Sequence, residues 1–226
     1  MAVKSLTARL ADLHSERVRT WPPAQLQGNI DTRRHLVETA NHAGFIKVGD
    51  LVPDFTLPEV DGETLRLSTL LRDGSVVLVF FRFAGCPACN IAIPYYQEAL
   101  WPGLRQRGAQ LVALSPQIPE RLVEIKRRHG LEFLVASDVD NGLARNFGVT
   151  FQPDEAAQAA TLAKGGAAIS DTTGASTWEL PMPAVIVIDQ DRRAQFVDIS
   201  PDWLVRTEAE PVLAAVDALS QASAAA

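Results

Sequence analysis

The chain holds two cysteines, Cys86 and Cys89, separated by Pro87 and Ala88. Sulfurs at this spacing can pack as small apolar groups, supply half of a zinc site, or cycle between dithiol and disulfide. Zinc asks for about four ligands, and His14, His35, His42 and His129 are scattered with no second pair at ligand spacing, so no metal site is expected. The apolar run SVVLVFFRF just before the pair reads as a buried strand, and the segment from Pro87 to about Arg107 as a helix. Cys86 then lies beside the first helical turn, where free amides and the positive end of the helix dipole favour a thiolate. Its pKa is expected to fall from about 8.5 to about 7 or lower. Pro87 suits the first helical position because the N–H it lacks would have no partner there. Cys89 is one turn on, close enough to resolve chemistry begun at Cys86. No cofactor beyond the redox-active dithiol is expected.

The rest of the composition narrows the setting. With 226 residues, 47% of them hydrophobic, the chain can bury a core without a disulfide, so the close pair is not needed as a staple. The net charge of −6 argues against a nucleic-acid partner. The basic run EIKRRHG reads as the polar C-terminal turn of a helix. The first twenty residues space Val3, Leu6, Leu10, Leu13 and Val18 as an amphipathic helix, without the apolar core of a signal peptide. VVLVFF is too short to cross a bilayer, so a cytoplasmic protein without a membrane partner is expected. In such a reducing compartment a close cysteine pair points to catalysis or metal binding ahead of a structural disulfide.

Element order predicts how the pair is positioned. Residues 1–46 read as a helical extension of two helices, divided around TWPPAQLQGN by the Pro pair and Gly28. Those helices either cover a sheet face or pair with a second subunit as a homodimer. Residues 47–221 form the main domain. Strands at 75–83, 109–115 and 132–137 alternate with helices, a strand pair at 184–189 and 194–200 turns at QDRR, and a last helix runs from about Glu208 to Ser220. This is an α/β pattern with a central mixed sheet covered by helices on both faces. Residues 151–181 break the alternation and read as an insertion with one Ala-rich helix, DEAAQAATLAK, and a loop returning at Trp178. An insertion of that length suits a lid, a binding loop or an interface as well as a plain surface excursion, and Trp178 is a candidate substrate-loop contact. Residues 222–226 read as a disordered tail. Asp138 and Asp140 at a strand end read as helix caps ahead of a cation site, Trp203 reads as a packing anchor, and KGG at 164–166 lacks the spacing of a phosphate loop.

The stretch from Phe80 to Pro94, with strand, CxxC and a helix-kinking proline in order, resembles the active-site segment of the thioredoxin superfamily. The resemblance implies a thioredoxin-like fold and makes Pro183 in MPAVIVID the match for a cis-proline that presents the backbone of Met182 to a substrate sulfur. Beyond the site, GDLVPDFTLPEVDGETLRLSTLL and SDVDNGLARNFGV are similar to the alkyl hydroperoxide reductase C and thiol-specific antioxidant family, the peroxiredoxins, over about residues 47–217. That likeness implies an oxidoreductase in which Cys86 reduces a hydroperoxide and Cys89 resolves it to an intramolecular disulfide, with a thioredoxin- or glutaredoxin-like reductant. The chain departs from the peroxidase pattern at Val79 and Phe83, where relatives carry Pro and Thr, and at Met182 and Pro183, in the region of an Arg. Arg82 could replace the lost cation. Phe80 and Gly85 stand where thioredoxin has an acid and a Trp. Two alternatives therefore stay open: a thiol-disulfide oxidoreductase acting on disulfides, and a non-catalytic binding module with a vestigial pair.

Overall fold

The computed structural model describes residues 3–163 and 167–224. The chain opens with helices α1 (Leu6–Thr20) and α2 (Pro23–Thr39), broken at Trp21 and Pro22. Gly28 lies inside α2 and does not divide the pair, because the conformational freedom of one glycine costs a helix only about 1 kcal/mol. A hairpin of β1 (Thr56–Pro58) and β2 (Thr64–Arg66) follows, then α3 (Leu67–Leu70) and β3 (Val76–Phe80). After α4 (Cys89–Tyr95) and α5 (Trp101–Gln106) come β4 (Gln110–Ser115), α6 (Pro119–His129), β5 (Leu134–Ser137) and α7 (Gly142–Asn146). The segment expected to be an insertion lies between β6 (Thr150–Phe151) and β7 (Leu180–Pro181), and carries α8 (Glu155–Ala163) and α9 (Ile169–Thr173). The chain closes with β8 (Ala184–Ile188), β9 (Ala194–Ile199) and α10 (Ala209–Ala224). The helix thus reaches into the segment expected to be a disordered tail, since its alanines are strong helix formers. The final two residues lie outside the described ones, as does the KGG stretch.

The five-stranded sheet has the order β5-β4-β3-β8-β9, with β3, β4 and β5 parallel and β8 and β9 antiparallel. Every residue of β3 and β8 is buried, as expected of strands covered on both faces. Successive side chains alternate between two cores. Val77, Val79, Val185 and Val187 face the core closed by α1, α2, α4, α6 and α10; Val76, Leu78, Phe80 and Ile186 face the one closed by the hairpin, α3 and α7. Leu6, Leu10 and Leu36 join the first core, so the N-terminal helices cover a sheet face. The insertion is clipped at its base by the β6–β7 pairing of Thr150 with Pro181 and Phe151 with Leu180. Trp203 is buried as a packing anchor, and Asp138 caps α7 by accepting from the amides of Leu143 and Ala144, at 2.9 Å each.

One carboxylate docks the extension. Glu208 accepts from the backbone of Leu6 (2.9 Å) and Thr7 (2.8 Å), from the Thr7 hydroxyl (2.8 Å) and from the Tyr95 hydroxyl (2.7 Å). A residue ahead of the last helix thereby satisfies the first turn of α1. Burial alone would raise the Glu208 pKa, but these donors outweigh it and hold the carboxyl below its ordinary value. A depressed carboxyl contributes stability that is complete above its unfolded pKa and is lost as pH falls through its folded one. Glu208→Gln should therefore cost roughly 1 kcal/mol at pH 7, because the group is partly exposed and screened. The difference from the wild type should shrink as urea titrations move to pH 3.5. An equal difference at both pH values would contradict this docking role.

Candidate active site

The loop from β3 to α4 is held by side chains that leave its polar backbone satisfied. Phe81 continues the sheet by donating to Leu114 O (2.9 Å), and Ser115 Oγ donates to Arg82 O (3.0 Å). Gln117 Oε1 accepts from the Ala84 amide (2.8 Å), and its Nε2 donates to Thr172 O of the insertion (3.3 Å). Asn90 Nδ2 donates to Ala84 O (2.7 Å) and Cys86 O (2.9 Å), while its Oδ1 faces Arg128 (2.9 Å) and His129 (2.8 Å) of α6. Neither Gln117 nor Asn90 was picked out by sequence, since nothing in their spacing marks a residue that braces a turn.

Regular helix starts at Cys89, two residues later than expected; Pro87 is an exposed turn residue. Helical hydrogen bonding nonetheless reaches back to the first cysteine, whose carbonyl accepts from Asn90 N at 3.0 Å. Pro94 lies inside α4 and is followed by a wide π-type turn, Tyr96–Leu100, before α5. That turn accommodates the missing N–H and ring of a proline within an otherwise continuous helix.

The two sulfurs lie 2.7 Å apart as free thiols, and the Cys89 amide points at Cys86 Sγ (3.4 Å). Cys86 is 3% exposed and Cys89 0%. The expected lowering of the Cys86 pKa is overturned in this closed pair. The hydrogen bond shared with Cys89, and then burial, hold Cys86 well above its ordinary value, against the pull of Arg82 and Arg206. Burial pushes Cys89 up too, but the hydrogen bond with Cys86 and the charge of Arg206 hold it well below. An Arg206 terminal nitrogen is 3.7 Å from Cys89 Sγ, which favours an anion on the inner sulfur.

Arg82 is half-buried with its guanidinium over the rings of Trp203 (4.9 Å) and Phe83 (5.6 Å). It lines a cavity of about 830 Å³ together with Met182, Trp178 and Trp203, walled on the far side by α2 and α8. The structure thus brings Arg82, Met182 and Trp178 together, while the sulfurs stand behind Arg82, outside the lining. Met182 N donates to Val149 O (2.6 Å) and Pro183 O accepts from Ser200 N (2.8 Å). The expected cis bond at Pro183 is absent: all peptide bonds of the described residues are trans, and those two hydrogen bonds hold the segment extended as it enters β8. Arg17 and Arg206, also missed by sequence, reach the site from α1 and from the loop after β9. Among the described residues no cluster of His, Cys, Asp and Glu could hold a metal, and no helix is long and apolar enough to cross a membrane.

The sequence profile of the AhpC/TSA family matches residues 48–197. Peroxiredoxin Bcp of Escherichia coli is 30% identical over 104 residues, which are 46% of this chain and 65% of that relative's length. The crystal structure of peroxidoxin BcpB from Mycobacterium tuberculosis superposes with a TM-score of 0.60 at 26% identity, over 77% of this chain and 98% of the other. A peroxiredoxin-like protein from Aquifex aeolicus shares the fold, at a TM-score of 0.59 and 18% identity, over 77% of this chain and 88% of that one.

Proposed function

We propose, from the premise that the chain belongs to the AhpC/TSA family, that it is a thiol peroxidase whose working parts are Cys86 and Cys89. The observation that carries this reading is the 2.7 Å contact between two free thiols on one helical turn. Cys86 is the attacking sulfur: its neighbours Gly85 and Pro87 are exposed, whereas Cys89 is sealed beneath it. A proton passes from Cys86 to Cys89 across the sulfur–sulfur contact, and the resulting Cys86 thiolate attacks a hydroperoxide. The O–O bond breaks, sulfur keeps the hydroxyl as a sulfenic acid, and the departing alkoxide takes a proton from solvent and leaves as the alcohol. Cys89 then displaces that hydroxyl as water and closes the disulfide. An external dithiol of the thioredoxin or glutaredoxin type restores both thiols in a reducing cytoplasm. Arg82 supplies positive charge beside the sulfurs and joins them to the cavity that it lines with Trp178 and Met182, the space proposed to hold the body of the substrate.

A second reading keeps one observation of its own. Val79 is buried and Phe83 packs against the core, so hydrocarbon occupies both positions before Cys86 where a peroxide would find hydrogen-bond partners. A disulfide substrate needs no such partners. Stopped-flow mixing of the reduced protein with hydrogen peroxide, cumene hydroperoxide and a model disulfide, followed by intrinsic fluorescence, separates the two. Oxidation by a peroxide much faster than by the disulfide is expected; rapid reaction with the disulfide alone would replace the peroxidase by a disulfide reductase.

A further inference from the structure

A guanidinium taken out of water is costly unless a counter-charge meets it. Arg206 is 7% exposed; its Nε donates to Trp203 O (2.9 Å), and no carboxylate of the described residues lies within ion-pair distance of it. Its remaining neighbour is Cys89 Sγ at 3.7 Å. Arg17 is 6% exposed and stacks on Trp21 (4.7 Å), with one terminal nitrogen lacking any partner; the groups that favour its charge are Cys86 and, more weakly, the neighbouring Glu16. Arg33 next to it is already neutralised by Asp202 (2.8 Å). From β9, the Asp198 carboxylate accepts from the Thr207 hydroxyl (2.8 Å), and Glu208 is engaged by Leu6, Thr7 and Tyr95. Tyr96, behind Arg206, is kept neutral by burial. Arg206 by direct contact, and Arg82 and Arg17 by their charge, therefore act on a pair of sulfurs that can hold one negative charge between them. Arg17 and Arg206 both lie outside the family match at 48–197.

We propose that Arg206 and Arg17 set the redox poise of the site: they stabilise the charged dithiol over the uncharged disulfide, and so make the Cys86–Cys89 disulfide a strong oxidant. Reduction by an external dithiol breaks the Cys86–Cys89 bond and delivers two electrons. The reductant closes its own disulfide and gives up two protons, one to the pair and one to solvent. The pair ends as one thiol and one thiolate, with the anion against Arg206. In the disulfide that anion is gone and both guanidinium groups are left buried without it, which favours the reduced form. The proposal requires that the pair forms a disulfide, and is independent of whether a peroxide is the natural oxidant.

The test equilibrates the full-length protein with glutathione buffers and counts free thiols by alkylation and mass. Arg206→Met should move the equilibrium toward the disulfide about tenfold or more, a potential lower by about 30 mV per tenfold. Arg206→Lys should retain most of the wild-type poise, and Arg17→Met should shift in the same direction as Arg206→Met. Thiolate absorbance at 240 nm should titrate at higher pH in both Met variants. Wild-type protein should also melt at a higher temperature reduced than oxidised. Should Arg206→Met not fold, Arg17→Met and Arg206→Lys carry the comparison. A poise within twofold of wild type in the folded Met variants, or a wild-type pair that forms no intramolecular disulfide, overturns the proposal. Peroxide inertness with the shift intact would sink the peroxidase reading alone.

Discussion

Cys86→Ser should lower the rate of hydroperoxide consumption by roughly a thousandfold or more, because it removes the group that forms the new bond to oxygen. The burial of both sulfurs makes this prediction sharper than its counterpart at an exposed thiol. Cys89, 0% exposed and pinned against Arg206, has no line of approach for a peroxide even though that guanidinium favours an anion there. Cys89→Ser should behave differently. It removes the neighbour that raises Cys86 most, while leaving Arg82, Arg206 and the amide of residue 89 around that sulfur. Cys86 should then titrate lower than in the native pair, consume one equivalent of peroxide and stop as a sulfenic acid that dimedone traps. Substantial peroxide turnover by Cys86→Ser, with Cys89 oxidised, would reverse the two roles.

Gly148→Ala should destabilise the fold by about 3 kcal/mol or more, and lower its melting temperature by roughly 10 °C for a chain of this size. Gly148 ends α7 with φ of +70°, donating to Arg145 O (2.9 Å) while Val149 donates to Ala144 O (3.0 Å), a pairing that needs the left-handed conformation. A methyl group there would also meet the carbonyl oxygen of Gly44 at 2.1 Å, backbone against backbone. Relief requires the linker after α2 to move, which opens the hydrogen bond from Ile46 N to Phe147 O (3.0 Å). Gly28→Ala is the contrasting control: inside α2, with nothing within 4 Å of the added carbon, it should stabilise by roughly 0.5–1 kcal/mol. Thermal melts followed by circular dichroism read both. A Gly148→Ala variant that melts with the wild type would mean the linker does not pack against α7 as described.

Much of the architecture was legible because its causes are local. The buried run of β3, the alternation of strands with helices, the turn at residues 190–193 and the capping by Asp138 each depend on neighbours within a few residues. The same holds for the sulfur pair, whose closeness follows from an i, i+3 spacing on one helical turn. The trans bond at Pro183 was not legible in its own stretch, which in the fold is tied by hydrogen bonds to Val149 and Ser200 in other segments.

The sequence by itself thus determined the fold class, the two sulfurs and the chemistry they can share. Which sulfur the surrounding charges favour as the anion was decided by tertiary structure alone. Arg206 reaches Cys89 across 117 residues, and Arg17 comes to the site on a helix ahead of the matched domain. A helix start favours an anion through dipoles that spacing reveals. Desolvation and buried counter-charges act through space, and only the packed chain determines which groups are close enough to exert them.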